Sequence, residues 1–319
     1  MQDKILDYLK RHPSNYVSGE DLSSHLKISR QALWKHIQEF KDSGYEIEAV
    51  PHLGYKLVSS PDRLFASEIN RGLNTKFIGK KIYYFDSIGS TMDMAQELGI
   101  KQAAEGTVIL SENQSKGRGR MGRQWLSPKY KGIYLSLILR PKISPNASAI
   151  LTLLAAVSIC EAIKKVAGME AKIKWPNDIF IQQKKLGGIL TELNAEADQI
   201  RFLVIGIGLN INNDKKSLVS GATSLKEEKG QVLNRVELLQ EMLRVLERNY
   251  LSFQNKGAGP IADKWRSLSA TLGKRIKVSL SGGHLEGEAV DIDSDGALLL
   301  RNDAGLISRV TSGDVTHCR

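Results

Sequence analysis

The sequence predicts an α+β protein in three parts: a winged helix-turn-helix, a central mixed-sheet α/β domain and a small β-barrel. Three observations predict this division. Residues 1–62 combine apolar residues at helical spacing with a terminal hairpin pattern. The middle of the chain alternates apolar strands with helical stretches, and residues 271–319 read as short strands on tight turns. At 319 residues the chain is long enough for two or three domains, taking about 100 to 200 residues for each.

In the first part, Ile5, Leu6 and Leu9 recur at helical spacing until His12-Pro13 ends the helix, because proline removes a donor and biases its predecessor out of the helical region. Ser18 and Ser29 stand where the caps of a second and third helix belong. Along the third, Leu33, Ile37 and Phe40 form a stripe for burial, while Gln31, Trp34, Lys35 and Gln38 share the other face. Tyr45, Ile47 and Ala49 alternate inward, Pro51-His52-Leu53-Gly54 turns, and Tyr55 and Leu57 return. A hairpin behind such a helix pair is a wing. Arg30, Gln31, Trp34, Lys35 and Gln38 are candidates for the DNA major groove, with His52 and Lys56 on the wing for phosphate. The module holds eight Lys/Arg against nine Asp/Glu, so protein docking stays open as its other use. Ser59-Ser60-Pro61-Asp62 reads as a linker.

In the central part, Phe77 to Phe85 reads as a strand, with Ser90 and Thr91 at the following turn, as caps or as partners of a polar ligand. Val108-Ile109-Leu110 leads into Ser111 to Trp125, in which glycines alternate with Lys116, Arg118, Arg120 and Arg123. The glycines let backbone approach a ligand and the cations call for phosphate or carboxylate, so the loop is expected to be mobile when empty and to close on an anion. A solvated basic loop or an RNA-binding tract is the other reading. Ile133 to Leu139 is a buried strand and Ala149 to Val166 an apolar helix. Three further strands follow, carrying Lys174-Trp175-Pro176-Asn177-Asp178, Lys185-Leu186-Gly187-Gly188 and Gly206-Ile207-Gly208-Leu209-Asn210, and their glycines mark close approach to the backbone. After a helix from about Leu238 to Leu251, four short strands run from Arg275 to Val310, which describes a small barrel.

Hydrophobic content of 41% and charged content of 25% belong to an ordinary folded chain and exclude a disordered one. No apolar run approaches the roughly 20 residues that span a bilayer, and no signal-peptide segment opens the chain, so a cytoplasmic protein free of membrane is expected. Cys160 and Cys318, the only cysteines, make neither a disulfide framework nor a metal cluster, and no metal-ligating residues are assigned. Lys and Arg exceed Asp and Glu by 45 − 35 = 10, and six cations without an acid lie between Gln114 and Lys131, pointing to an anionic partner.

The four motifs Gly117 to Arg123, Lys174 to Asp178, Lys185 to Leu190 and Gly206 to Asn210, in that order behind a winged helix, resemble the bifunctional biotin protein ligase and biotin operon repressor family. The resemblance covers essentially the whole chain. It implies a class II synthetase-like ligase domain at 63–270, behind the 1–62 winged helix, and an SH3-like barrel at 271–319 that aids ATP and carrier engagement. It implies condensation of biotin with ATP to biotinyl-5′-AMP, transfer to a lysine of a biotin carboxyl carrier domain, Mg²⁺ on the polyphosphate, and operator binding by a homodimer that the adenylate favours. By resemblance, Arg118, Arg120 and Arg123 close on carboxylate and phosphates and Lys185 bonds both reacting anions. Ser90, Thr91 and Gln114 hold the biotin ring, Gly117 lies in the biotin loop, and Gly188, Gly206 and Gly208 leave room for the ring. Trp125 packs on the ligand, Asn177 and Asn210 meet the nucleotide, and Asp178 orients or deprotonates the acceptor lysine. One departure stands out: no aromatic occurs between Ile211 and Asn249 to stack on adenine, which leaves Leu218 and Leu225 as aliphatic candidates. A ligand-sensing transcription factor without catalysis and a lipoate ligase are the alternatives, and the intact Lys185 and basic loop argue against the former.

Overall fold

Capping chemistry sets the helix starts in the amino-terminal unit. In a computed structural model describing residues 1–196, 198–280 and 283–317, the chain divides into two units, Met1–Arg63 and Leu64–Arg319. Helix α1 (Gln2–Arg11) stops at His12. Ser18 Oγ accepts from the Glu20 amide at the start of α2 (Gly19–Leu26), and Ser29 Oγ accepts from the Ala32 amide at the start of α3 (Arg30–Asp42). Leu33, Ile37 and Phe40 are buried with Ile5, Leu9 and Leu22. Strands β1 (Glu46–Val50) and β2 (Gly54–Ser59) form the antiparallel wing. Gly54 has φ +109° and a Cβ there would lie 2.0 Å from Val17 O, so the wing turn admits no other residue. Ala49 is exposed, because the hairpin has left the helices by that point.

The second unit is built on a seven-stranded sheet. In chain order its elements are α4 (Ala66–Asn70), β3 (Ile82–Phe85), α5 (Thr91–Ile100), β4 (Val108–Ser111), β5 (Gly132–Leu139), α6 (Ala149–Ala167), β6 (Lys172–Lys174), β7 (Asp178–Ile181), β8 (Lys184–Glu196) and β9 (Gln199–Asn210). Helices α7 (Leu225–Lys229), α8 (Arg235–Lys256) and α9 (Gly259–Leu268) follow. The strand order is β3-β4-β5-β9-β8-β7-β6, with only β3 and β4 parallel. One sheet face carries α6, which also packs on α8 and α9. The other carries α5, where Met92 and Ala95 meet Ile109, Ile138 and Val204.

The carboxyl-terminal strands β10 (Arg275–Leu280), β11 (Gly283–Ile292), β12 (Leu298–Arg301), β13 (Ile307–Val310) and β14 (Asp314–His317) form an antiparallel sheet in the order β13-β12-β11-β10-β14, the SH3-like module. Ile276, Val278, Ala289, Leu298 and Leu300 join the same core as the central sheet.

Several expectations are corrected here. The strand expected from Phe77 is confined to Ile82–Phe85, because residues 76–78 are drawn into a turn whose three amides donate to the Glu247 carboxylate on α8. Pro145–Ala167 does reach bilayer-spanning length and apolarity, with mean hydropathy 1.7, but 67% of its 18-residue apolar window is buried, as a core helix between sheet and helices. Glu112 belongs to the core and not to the basic loop. Cys160 is buried, and burial pushes its thiol up to about 12. Cys318 and the Ser281-Gly282 turn lie outside the described residues.

Candidate functional site

Three neighbouring strands end together and make the floor of a pocket. Register pairs Asp178 of β7 with Gly188 of β8, and Gly188 with Gly208 of β9. A bulge in the β7–β8 ladder sets Lys185 beside them, its Nζ 2.7 Å from Asp178 Oδ1. The pocket holds about 430 Å³, and Ser90, Thr91, Gln114, Arg118, Arg120, Arg123, Trp125, Asn177, Asp178, Lys185, Gly188, Gly206, Gly208, Asn210 and Leu218 line it, whereas Lys116, Gly117 and Leu225 do not. Gly117 lies behind the wall, where a Cβ would come 2.8 Å from Trp125 O.

The basic segment closes the pocket as a folded-back loop, with Trp125 N donating to Gly117 O at 2.9 Å and Gly119 N to Arg123 O at 2.7 Å. Its arginines are held by carboxylates, an amide and a backbone carbonyl. Arg118 pairs with Asp93 at 2.5 Å and with both Glu192 oxygens at 3.2 Å, and donates to Ser90 Oγ. Burial depresses its guanidinium, and the two carboxylates outweigh that and raise it. Arg120 donates to Asn177 Oδ1 and, through both terminal nitrogens, to Gly313 O at 3.2 Å. Burial lowers Arg120 on balance, against the attraction of Asp178. Arg123 pairs with Asp314 of β14. The same cause, burial, lowers Lys174, which Asp178 counters and Lys185 reinforces.

Next to Arg118, which reaches Ser90, lies a neutral polar network. Ser90 caps α5, as the bland reading had it, and Thr91 donates from N and Oγ1 to Gln114 Oε1 at 2.9 and 3.0 Å. Ser136 donates to Thr91 Oγ1, and Gln114 Nε2 donates to Ser127 Oγ. The Gln114 side chain is therefore held at both ends, its carbonyl by Thr91 and its amide nitrogen by Ser127. Gly206 and Gly208 do not leave open space in this state: a Cβ would lie 2.5 Å from Met92 Sδ and 2.4 Å from Trp125 Cε2 respectively, so those side chains fill it. Trp125 Nε1 is buried without a partner, a donor awaiting an acceptor.

Asn177 donates to Ile189 O and Asn210 to Thr223 O, so both amides also brace the backbone. Leu218 and Val219 line the pocket with Ala222, whereas Leu225 is wholly buried and cannot cover a ligand. In the separate amino-terminal unit, Arg30, Gln31, Trp34, Lys35 and His52 are exposed and Gln38 and Lys56 half-buried. Trp34 is 57% exposed on α3, Arg30 pairs with Glu20, and Lys56 sits over the Tyr16 ring.

Sequence reasoning missed Asp93, Glu192 and Asp314 as partners of the arginines. For Glu192 a signal existed: Gly188, Leu190 and Glu192 alternate along one strand and share the pocket face. Asp314 carried none, because its strand was not recognised.

Three family models match in order: an HTH domain over residues 2–56, the biotin/lipoate A/B protein ligase family over 84–210, and the biotin protein ligase C-terminal domain over 271–317. The bifunctional ligase/repressor BirA of Bacillus spizizenii is 40% identical, covering 99% of this chain and 98% of its own. BirA of Escherichia coli is 32% identical over 94% of this chain and 92% of its own. The solved biotin protein ligase of Aquifex aeolicus, in complex with biotin and ATP, superposes with TM-score 0.64 at 30% identity, over 75% of this chain and 99% of that one. Full-length similarity of this order, with all three modules in the same sequence, makes this chain a member of the bifunctional biotin ligase/repressor family.

Proposed function

We propose that this chain is an ATP-dependent biotin protein ligase that doubles as a biotin-responsive repressor of operons for biotin synthesis and transport. One observation carries the enzymatic half: Arg120, Lys174 and Lys185 gather around Asp178 in the same pocket that the neutral Thr91–Gln114 network lines. In the first step a biotin carboxylate oxygen attacks the α-phosphorus of ATP, forming the acyl–phosphate bond and expelling pyrophosphate. Two anions approaching to about 4 Å repel by several kcal/mol at a protein's effective dielectric, so fixed cations must offset them. Lys185 bonds both reacting anions, exchanging its Asp178 partner for them, and Arg118, Arg120 and Arg123 hold the flap over them. In the second step the acceptor lysine amine attacks the acyl carbon and expels AMP, and Asp178, once released by Lys185, orients that amine or takes its proton.

Ser90, Thr91, Gln114 and Trp125 hold the biotin ring, Gly117 shapes the loop, and Gly188, Gly206 and Gly208 keep the floor bare so that Met92 and Trp125 can shift over the ligand. Asn177 and Asn210 meet the nucleotide, and Leu218 and Val219 supply an aliphatic cover for adenine in place of the missing aromatic. Among the described residues no group of three metal-ligating side chains occurs, which suits an Mg²⁺ that arrives on the polyphosphate and is held mainly by phosphate oxygen and water.

The proposed division assigns 1–62 to operator DNA, 63–270 to catalysis and 271–319 to ATP and carrier engagement, in a cytoplasmic protein whose homodimer the adenylate favours. On α3 and the wing, Arg30, Gln31, Trp34, Lys35, Gln38, His52 and Lys56 face DNA. Incubation with ATP, biotin and a carboxyl carrier domain should label the carrier and release pyrophosphate. An unlabelled carrier, or lipoate rather than biotin promoting release, overturns the reading.

A further inference from the structure

Lys185 is fixed through its backbone by the loop after β9. Its amide donates to Gly221 O at 2.9 Å and its carbonyl accepts from Thr223 N at 2.9 Å, so both backbone groups of this one residue are tied to the loop after β9. That loop also supplies Ser217, Leu218, Val219 and Ala222 to the pocket wall. What holds the loop in turn is Glu228 on α7, whose Oε1 accepts from Thr223 Oγ1 at 2.5 Å and from Lys184 Nζ at 3.0 Å. The Glu228 side chain is only 8% exposed. It thus joins the residue on each side of the tie: Thr223, which bonds the Lys185 carbonyl, and Lys184, its chain neighbour.

We propose that Glu228 is a positioning residue for Lys185, clamping the loop after β9 to the start of β8 so that the reactive ammonium and the nucleotide-side wall of the pocket move as one piece. Helix α7 is suited to act as the anchor of this clamp. Ser224 caps it while donating to Asn213 O, Leu225 is sunk in the core, and Lys226 pairs with Asp214 at the loop's far end. Glu228 touches neither reacting anion; it acts through Thr223 and the backbone of Lys185. Misplacing a reacting group by about 1 Å costs up to roughly a hundredfold in rate, which is the scale on which such a clamp operates.

The inference rests on the ligase reading, so the full-length native protein is the control. Pyrophosphate release is followed with biotin and ATP for the native chain, Glu228→Ala, Glu228→Gln and the isosteric Thr223→Val, alongside biotin binding without ATP. The clamp predicts that Glu228→Ala and Thr223→Val lower kcat about tenfold or more, leave the biotin Kd within about twofold, and that Glu228→Gln, which keeps an acceptor oxygen, recovers most of the loss. Native kcat in Glu228→Ala or Thr223→Val overturns the clamp and leaves the ligase reading standing. Equal loss of kcat and biotin affinity in Thr223→Val and Glu228→Gln overturns it too, since that is general unfolding. A native protein that releases no pyrophosphate removes both.

Discussion

At the scale of single residues, the site is a set of cations whose present partners are protein anions. Arg118, Arg123 and Lys185 are matched by Asp93 with Glu192, by Asp314 and by Asp178. These carboxylates offset the clustered positive charge and set the electrostatic cost that a substrate anion must meet on entry. Lys174 differs: burial depresses it, Lys185 and Lys274 add to that, and Asp178 only partly opposes. The unfolded chain therefore binds the Lys174 proton more tightly than the native one, so native stability rises with pH from the depressed value up to the ordinary lysine value of 10.5. Replacing Lys174 by Met removes that contribution. The variant's Tm should exceed the native Tm at neutral pH, and the gap should shrink as the pH approaches 10.5. A gap independent of pH in thermal melts would contradict the assignment.

At the scale of elements, what was legible followed periodicity and capping. Leu33, Ile37 and Phe40 announced the buried face of α3, and Ser29 its start; both are local signals that no distant residue has to complete. The glycines of β8 and β9 correctly marked close approach, but not what approaches: Met92 and Trp125 come from elsewhere in the chain, and no local pattern contains them. The strand expected from Phe77 failed for the same reason, since Glu247 on α8 captures the amides that a ladder would have used. Glu112 is a further case. Written beside the basic loop, it reads as solvent-facing, yet it and Arg235 are both 0% exposed and 2.7 Å apart, joining the loop's base to α8. Its second oxygen accepts from Leu64 N, the first residue of the second unit. Removing one partner of a buried ion pair leaves the other uncompensated, so Glu112→Ala should cost about 3 to 5 kcal/mol in urea unfolding. A loss below about 1 kcal/mol would mean that water reaches Arg235 in the native fold.

At the scale of the whole molecule, the two units divide the labour between DNA and chemistry. The amino-terminal unit is nearly neutral, so a single copy would neutralise few phosphates, and the proposed homodimer would add a second copy on a two-part site. Operator footprints should strengthen when biotin and ATP are both added and not with either alone. Lys35→Ala should weaken binding and, if the residue meets phosphate, reduce the dependence on salt by about one unit of slope. A footprint of equal strength without biotin and ATP would disconnect repression from the ligase site, because a ligand shifts a population only by its differential affinity for the two states.

Adenylate formation at this site turns on Lys185 letting two anions meet. Its direct test is quenched-flow measurement of biotinyl-5′-AMP formation from saturating biotin and ATP by the native protein and by Lys185→Ala. The variant should bind biotin yet form adenylate about a hundredfold or more slowly, the scale seen when one preorganised transition-state donor is lost. Adenylate formation at the native rate in Lys185→Ala would contradict it.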